Sequence, residues 1–149
     1  VRAVVQRVKY ATVSVDGEII SRIDAGLMVL IGIREEDDKK DIEYIGKKIT
    51  GLRIFPDEEG VMNVNVQDTG GEIMIVSQFT LYGDAQKGNR PSYIRAAKGE
   101  ISEAVYEDLI AYVEKKGFSV ATGQFGADMQ IEMINDGPVT ILLDSERSF

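Results

Sequence analysis

Two short runs hold most of the side chains that could do chemistry. Ser77-Gln78-Phe79-Thr80-Leu81 places two hydroxyls, a carboxamide and an aromatic ring where a β-branched-rich segment gives way to a polar one. Strand ends of that kind are frequent positions for binding and catalytic residues. Thr80 can act as a nucleophile only with a base beside it, and the carboxylate close to it in sequence is Asp84. The same hydroxyls could equally serve the backbone by satisfying open groups at a strand terminus. The second run is Asn135-Asp136-Gly137-Pro138-Val139-Thr140. It reads as a β-turn between two strands. It reads also as a place where Gly137 permits close backbone approach and Pro138 allows a cis bond, turning carbonyls rather than side chains toward a ligand.

A third feature is charge segregation. From Gln86 to Lys98 the chain carries Lys87, Arg90, Arg95 and Lys98 with no acid, a local +4 within a net charge of −8. An acidic protein has little general affinity for nucleic acid or anionic membrane, so a concentrated basic stretch points to a specific anionic partner. Tyr93 within it could stack on a base. A solvated basic face is the other reading of the same residues. Arg2, Arg7 and Lys9 add positive charge near the start of the chain.

What is missing restricts the chemistry further. With no Cys and no His among 149 residues, thiolate nucleophiles, imidazole acid–base work and most zinc ligation are excluded. Catalysis must use hydroxyls, carboxylates, Lys, Tyr, backbone amides or a group that the substrate brings. No metal site and no cofactor are expected. The longest apolar run, Leu27 to Ile31, is far too short to cross a bilayer, and a cytoplasmic location is expected.

The elements that must position these residues are short. Val1 to Val8, Ala11 to Val15 and Glu18 to Ile23 read as strands, with Asp16-Gly17 as a hairpin signal. Leu27 to Ile33, apolar almost throughout, suits a central strand buried on both faces. Ile42, Ile45, Ile49 and Leu52 predict a helix over Lys39 to Leu52, preceded by the acidic group Glu35 to Asp38. Val61 to Val66 and Glu72 to Gln78 read as strands, and Leu81 to Asn89 as a loop. A second helix is predicted over Ser102 to Lys116, with Gly117 at its carboxyl end. Ala127 to Ile134 and Val139 to Asp144 read as two strands joined by the Asn135 to Pro138 turn. The sum is an α+β chain of one domain over residues 1–149, with a compact, curved or barrel-like sheet and two main helices.

The two motifs together, Ser77 to Leu81 and Asn135 to Thr140, resemble the signatures of the D-aminoacyl-tRNA deacylases. Similarity extends to Gln6-Arg7-Val8, Arg53-Ile54-Phe55, Met62 to Asn65 and Gly123 to Gln130, so it covers nearly the whole chain. The resemblance implies a homodimer with each active site at the subunit interface, between the first motif of one chain and Gly137-Pro138 of the other. It implies hydrolysis of the ester joining a D-amino acid, or glycine mischarged on alanine tRNA, to the terminal adenosine of tRNA. Such an ester is activated by the neighbouring ribose 2′-OH, so a protein that places water and stabilises an oxyanion needs no imidazole. On this resemblance Ser77, Gln78, Phe79 and Thr80 are the catalytic set, with Phe79 and Thr80 offering main-chain amides. Gly137 and Pro138, in a cis bond oriented by Arg7, select chirality. Asn135, Val139, Thr140, Met129 and Phe125 contact substrate, and Lys87, Arg90, Arg95 and Lys98 hold tRNA phosphates. Whether Thr80 or the substrate 2′-OH assists the attack stays open. The competing reading is a non-catalytic nucleic-acid-binding β module that uses the basic stretch alone.

Overall fold

A computed structural model describes residues 1–149. Its spine is β1 (Arg2–Val15), a 14-residue strand that serves three neighbours. The first half pairs antiparallel with β3 (Gly26–Gly32) and the second half with β2 (Glu18–Ile23). Its other edge carries β8 (Gln130–Asp144), antiparallel along nearly its whole length. Beyond β3 the sheet turns parallel, with β6 (Glu72–Ser77) on β3 and β7 (Val120–Thr122) on β6. The sheet curls until β2 approaches β6 and β7, which nearly closes a barrel. With the helices α1 (Lys39–Gly51) and α3 (Gly99–Glu114), this is the expected α+β architecture.

The central strands are apolar over their inner length, Leu27 to Ile31 in β3 and Ile73 to Val76 in β6, because both of their faces are covered. Leu27, Val29 and Ile31 of β3 and Ile73 and Ile75 of β6 face Ile42, Ile45 and Ile49 of α1 and Leu109 and Val113 of α3. Their neighbours Met28, Met74 and Val76 point the other way, into the barrel, beside Val8, Ala11, Val13 and Ile23. Each fully buried side chain of this size contributes about 2 kcal/mol of transfer free energy. A parallel pair needs a long crossover, and the one from β3 to β6 carries α1, a small hairpin of β4 (Phe55–Pro56) and β5 (Met62–Val64), and the turn-long α2 (Val66–Thr69). α1 opens on a capping box in which the Asp38 carboxylate accepts from Lys40 N–H and the Asp41 carboxylate from Asp38 N–H.

Several expectations from the sequence are corrected. The two strands read over Val1 to Val15 are one, and the break between them is a bulge: Val8 faces Asn135 and Tyr10 faces Ile134, leaving Lys9 as an extra residue. That extra residue lets Ala3 and Val5 face the helices while Ala11 and Val13, of the same parity, face the barrel. The two strands read over Ala127 to Asp144 are also one. Asn135 to Pro138 is no hairpin turn, since the segments before and after it both pair with β1 rather than with each other. The strand read over Val61 to Val66 keeps only Met62–Val64, because the Asn65 side chain caps α2 by accepting from Asp68 N–H. α3 starts three residues before the predicted Ser102, and Lys115 and Lys116 lie past its end. Leu81 belongs to a 3-10 turn, Phe79–Tyr82, rather than to a loop.

Candidate active site

A cleft of about 530 Å³ opens at the carboxyl ends of the parallel strands β3 and β6. Clefts of open α/β sheets lie at these ends because the strands stop there and the following segments diverge. Ser77, Gln78 and Phe79 form one wall, Phe125 and Met129 from the segment after β7 another, and Lys98 and Ser102 from the start of α3 a third. Six residues of the expected set, Ser77, Gln78, Phe79, Phe125, Met129 and the basic Lys98, therefore share one concavity.

The chain leaves β6 under tight control. Gln78 N–H donates to the Ile31 carbonyl at 2.6 Å, which extends the β3–β6 pairing by one bond. The 3-10 turn Phe79–Tyr82 begins at once, and its first N–H groups have no partner within the turn. Gln78, at the cap position, supplies no side-chain bond to them, so the amides of Phe79 and Thr80 stay free to donate. The Gln78 carboxamide instead donates to the Thr80 hydroxyl. Thr80 is exposed and lies outside the cleft lining, and no carboxylate bonds to it; Asp84 accepts from Gln86 N–H. The Phe79 ring, 54 % exposed, meets Tyr93 edge-on at 5.2 Å between centroids.

The opposite wall is braced from α3. The buried Tyr106 hydroxyl donates to the Ile75 carbonyl at 2.6 Å, and its ring lies 5.8 Å from that of Phe125. Burial pushes the Tyr106 phenol up to about 12, against a smaller opposing pull from the Gly123 backbone N–H. At Gly123 a Cβ would come within 2.5 Å of the Met129 sulfur, so the missing side chain is what lets Met129 fold back along the wall.

The second motif stands apart from this cleft within one chain. Between Gln6 and Val8 β1 advances two residues, whereas its partner runs from Thr140 to Asn135, so Asp136 to Val139 bulge out of the ladder. Asn135 closes the base of the bulge: its carboxamide oxygen accepts from Val139 N–H at 3.0 Å, and its nitrogen donates to the Thr140 hydroxyl at 3.0 Å. Arg7 holds the bulge from behind, donating through Nε to the Asp136 carbonyl at 3.1 Å and through Nη1 to the Ile54 carbonyl at 2.7 Å. Gly137 and Pro138, joined by a cis bond, are left exposed at the tip. Gly137 has a φ of 130°, and a Cβ there would meet Val139 Cγ2 at 2.8 Å and Arg7 Nη2 at 3.0 Å.

The basic stretch divides in two. Lys87 and Arg90 are exposed and make no ion pair. Arg95 is bound to Glu146 at 2.9 Å, and Glu146 also takes Arg34 at 2.8 Å. Arg95 and Arg2 both lie over the Tyr82 ring, 5.5 and 4.7 Å from its centroid, so the positive charge of the first strand and that of the basic stretch do meet. Sequence reasoning missed Ser102 and the supporting Tyr106. Ser102 and Tyr106 carry no signal beyond their helical phase, whereas Tyr93 was visible only as a stacking residue. No three acidic residues are gathered so as to hold a metal ion. No helix is long and apolar enough to cross a membrane.

The profile of the family described as D-Tyr-tRNA(Tyr) deacylase matches residues 4–144. A D-aminoacyl-tRNA deacylase of Clostridium kluyveri is 55 % identical over 148 residues, with 99 % of each chain covered. One of Thermosipho africanus is 51 % identical, again with 99 % of both chains covered. Among solved structures, the c-Myc DNA Unwinding Element Binding Protein superposes with a TM-score of 0.91 at 43 % identity, covering 97 % of this chain and 98 % of its own. A structure described as a probable eukaryotic D-amino acid tRNA deacylase shares the fold with a TM-score of 0.80 at 17 % identity, over 95 % of this chain and 97 % of its own. With the family profile running from the first strand to the end of the last, this chain belongs to the D-Tyr-tRNA(Tyr) deacylase family and is an enzyme of that kind.

Proposed function

We propose that this enzyme hydrolyses the ester between a D-amino acid and the terminal adenosine of tRNA, and also releases glycine mischarged on alanine tRNA. The observation that carries the reading is the pair of unpartnered amides at Phe79 and Thr80, at the edge of a largely apolar cleft. Two backbone N–H groups on adjacent residues suit the oxyanion that forms when water attacks an ester carbonyl. The terminal adenosine enters the cleft between Ser77, Gln78 and Phe79 on one side and Phe125 and Met129 on the other. The ester then lies at the rim, beside the free amides. Water attacks the carbonyl carbon, the carbonyl oxygen takes the charge, and the ribose oxygen leaves with a proton, with the vicinal 2′-OH as the nearest proton relay. Thr80, tied to Gln78 and without a base, is placed to shape the rim rather than to attack.

Selection of chirality falls to the Gly137-Pro138 bulge of a partner subunit. In this reading two copies associate, and the exposed tip of one bulge covers the Phe79 rim of the other. Asn135, Thr140 and Val139 set the position of that tip, and Arg7 fixes its direction. An L side chain would meet backbone there, which yields less readily than a side chain, while glycine has nothing to clash. Lys87, Arg90, Arg95 and Lys98 hold phosphates of the acceptor arm. The chain acts as one domain over residues 1–149, in the cytoplasm, with no cofactor.

The test is ester loss from D-tyrosyl-tRNA against L-tyrosyl-tRNA. Rapid hydrolysis of the D ester alone is expected, and equal stability of both in the presence of the protein overturns the reading. The second reading, a non-catalytic nucleic-acid-binding module, draws support from the name of the 43 % identical structure, which refers to a DNA element. It predicts binding of nucleic acid without turnover of either ester.

A further inference from the structure

The 3-10 turn Phe79–Tyr82 sits on a gap left in the sheet. Arg2 of β1 is the direct partner of Gly32 at the end of β3 and of Asp144 at the end of β8. Cross-strand partners point to one face, so Gly32 leaves the place beside the Arg2 side chain without a side chain of its own. A Cβ at Gly32 would meet Leu81 Cβ at 2.9 Å, the Gln78 carbonyl at 3.1 Å and Tyr82 Cδ2 at 3.2 Å. The turn fills that place.

Its entry is fixed by the bond from Gln78 N–H to the Ile31 carbonyl, and its exit by Arg2. The carbonyls of Gln78 and Thr80 accept from Leu81 and Gly83 N–H, whereas the Leu81 carbonyl, left open at the end of the turn, accepts from Arg2 Nη1 at 3.0 Å. The Tyr82 ring lies against the same guanidinium, 4.7 Å from its carbon. The Tyr82 hydroxyl is buried and has no partner, so packing on Gly32 and the guanidinium groups of Arg2 and Arg95, rather than a hydrogen bond, keep the ring in place.

Arg2 is itself anchored. Its Nε donates at 3.3 Å to Asp144, whose side chain is fully buried. Burial alone would raise the Asp144 carboxyl, but bonds from Ser148, Glu146 N–H and Arg2 hold it below its ordinary value, so it stays charged at neutral pH. One guanidinium thus joins a buried anion, an aromatic ring and the last open carbonyl of the turn. An ammonium has no planar fork with which to do the same.

We propose that Arg2 is a positioning residue for the reaction: by gripping the Leu81 carbonyl and the Tyr82 ring, it sets the direction of the Phe79 and Thr80 amides. This rests on the reading that those amides stabilise the oxyanion. Arg2 acts through a turn of four residues and touches no reacting atom, so its loss slows the chemical step and leaves tRNA binding alone.

Arg2→Met and Arg2→Lys are compared with the parent in hydrolysis of D-tyrosyl-tRNA, well below the thermal midpoint of each, and the amide NMR shifts of Phe79 and Thr80 are followed. Arg2→Met is expected to lower kcat about ten- to a hundredfold, the cost of a small misplacement, with KM within about twofold of the parent. Both amides are expected to shift. Arg2→Lys, which keeps a cation for the Leu81 carbonyl but loses the fork, is expected to recover part of kcat. If only the thermal midpoint falls, if KM alone rises as for a phosphate contact, or if the two amides stay where they are, the inference is overturned while the deacylase reading stands. Should Arg2→Met fail to fold, Arg2→Lys carries the test, and parental kcat and amide shifts in it overturn the inference. If the parent does not hydrolyse D-tyrosyl-tRNA, the deacylase reading falls and the inference with it.

Discussion

Arg7 donates to the Asp136 carbonyl at 3.1 Å and, from the same guanidinium, to the Ile54 carbonyl at 2.7 Å, tying the bulge of β8 to the segment before β4. The side chain is 12 % exposed, so both bonds are largely shielded from water. Charged donors in such places are worth more than neutral ones. Arg7→Ala is expected to lower stability by about 2 kcal/mol in urea unfolding. It also frees the Asp136 carbonyl, so L-tyrosyl-tRNA, which the parent is expected to reject, is expected to become a measurable substrate. Unchanged rejection of the L ester in a folded Arg7→Ala protein contradicts the role given to the bulge.

Gly137→Ala tests the same element by a different route. The added Cβ meets Val139 and the Arg7 guanidinium at 3.0 Å or less, at a φ that L residues rarely adopt. A loss of about 1–3 kcal/mol is expected, together with a larger fall in D-ester turnover than the stability change explains. Measuring both on one preparation separates the two effects.

Thr80→Val removes the hydroxyl but keeps the shape and the backbone amide. Turnover of D-tyrosyl-tRNA is expected to stay within about tenfold of the parent, a small effect beside the losses expected for a nucleophile. A tRNA charged on the 3′-OH of a terminal 2′-deoxyadenosine is expected to be cleaved far more slowly. The reverse pattern makes Thr80 the nucleophile.

Lys87, Arg90 and Lys98, the three cations of the basic stretch without an ion pair, outweigh the paired Arg95. Lys87→Ala with Arg90→Ala is expected to weaken tRNA binding and to reduce the slope of log affinity against log salt by between about one and two. Arg95→Ala changes the slope less, because its charge is already set against Glu146. Equal slopes for all variants would leave the stretch a solvated face.

Tyr106 gives a pH dependence of known sign. Its phenol is raised to about 12 by burial, above the ordinary value near 10, so the folded state favours the neutral form. That contribution is complete below about pH 10 and is lost as the pH climbs toward about 12. Tyr106→Phe is expected to cost about 1 kcal/mol at neutral pH, through the unpaired Ile75 carbonyl, and to flatten the alkaline fall in thermal midpoint. An identical alkaline limb in the variant assigns that fall to other groups.

The local patterns of the sequence were sufficient for much of this. The apolar run of β3, the three-and-four spacing of Ile42, Ile45 and Ile49, and the loss of every Cys and His are properties of neighbouring residues or of composition. They act through burial and side-chain chemistry that need no distant partner. The two motifs were legible for the same reason, as short runs with an unusual mix of groups. The conformation of Asn135 to Pro138 was not, because a turn and a bulge share the same residues. Only pairing with β1 on both sides makes it a bulge, and that pairing joins positions more than a hundred residues apart. The free amides of Phe79 and Thr80, the burial of Ser102 and the neutralisation of Arg95 by Glu146 likewise arise from contacts across the chain. Hydrogen-bond satisfaction and desolvation depend on what packs against a group, and tertiary structure alone decides that.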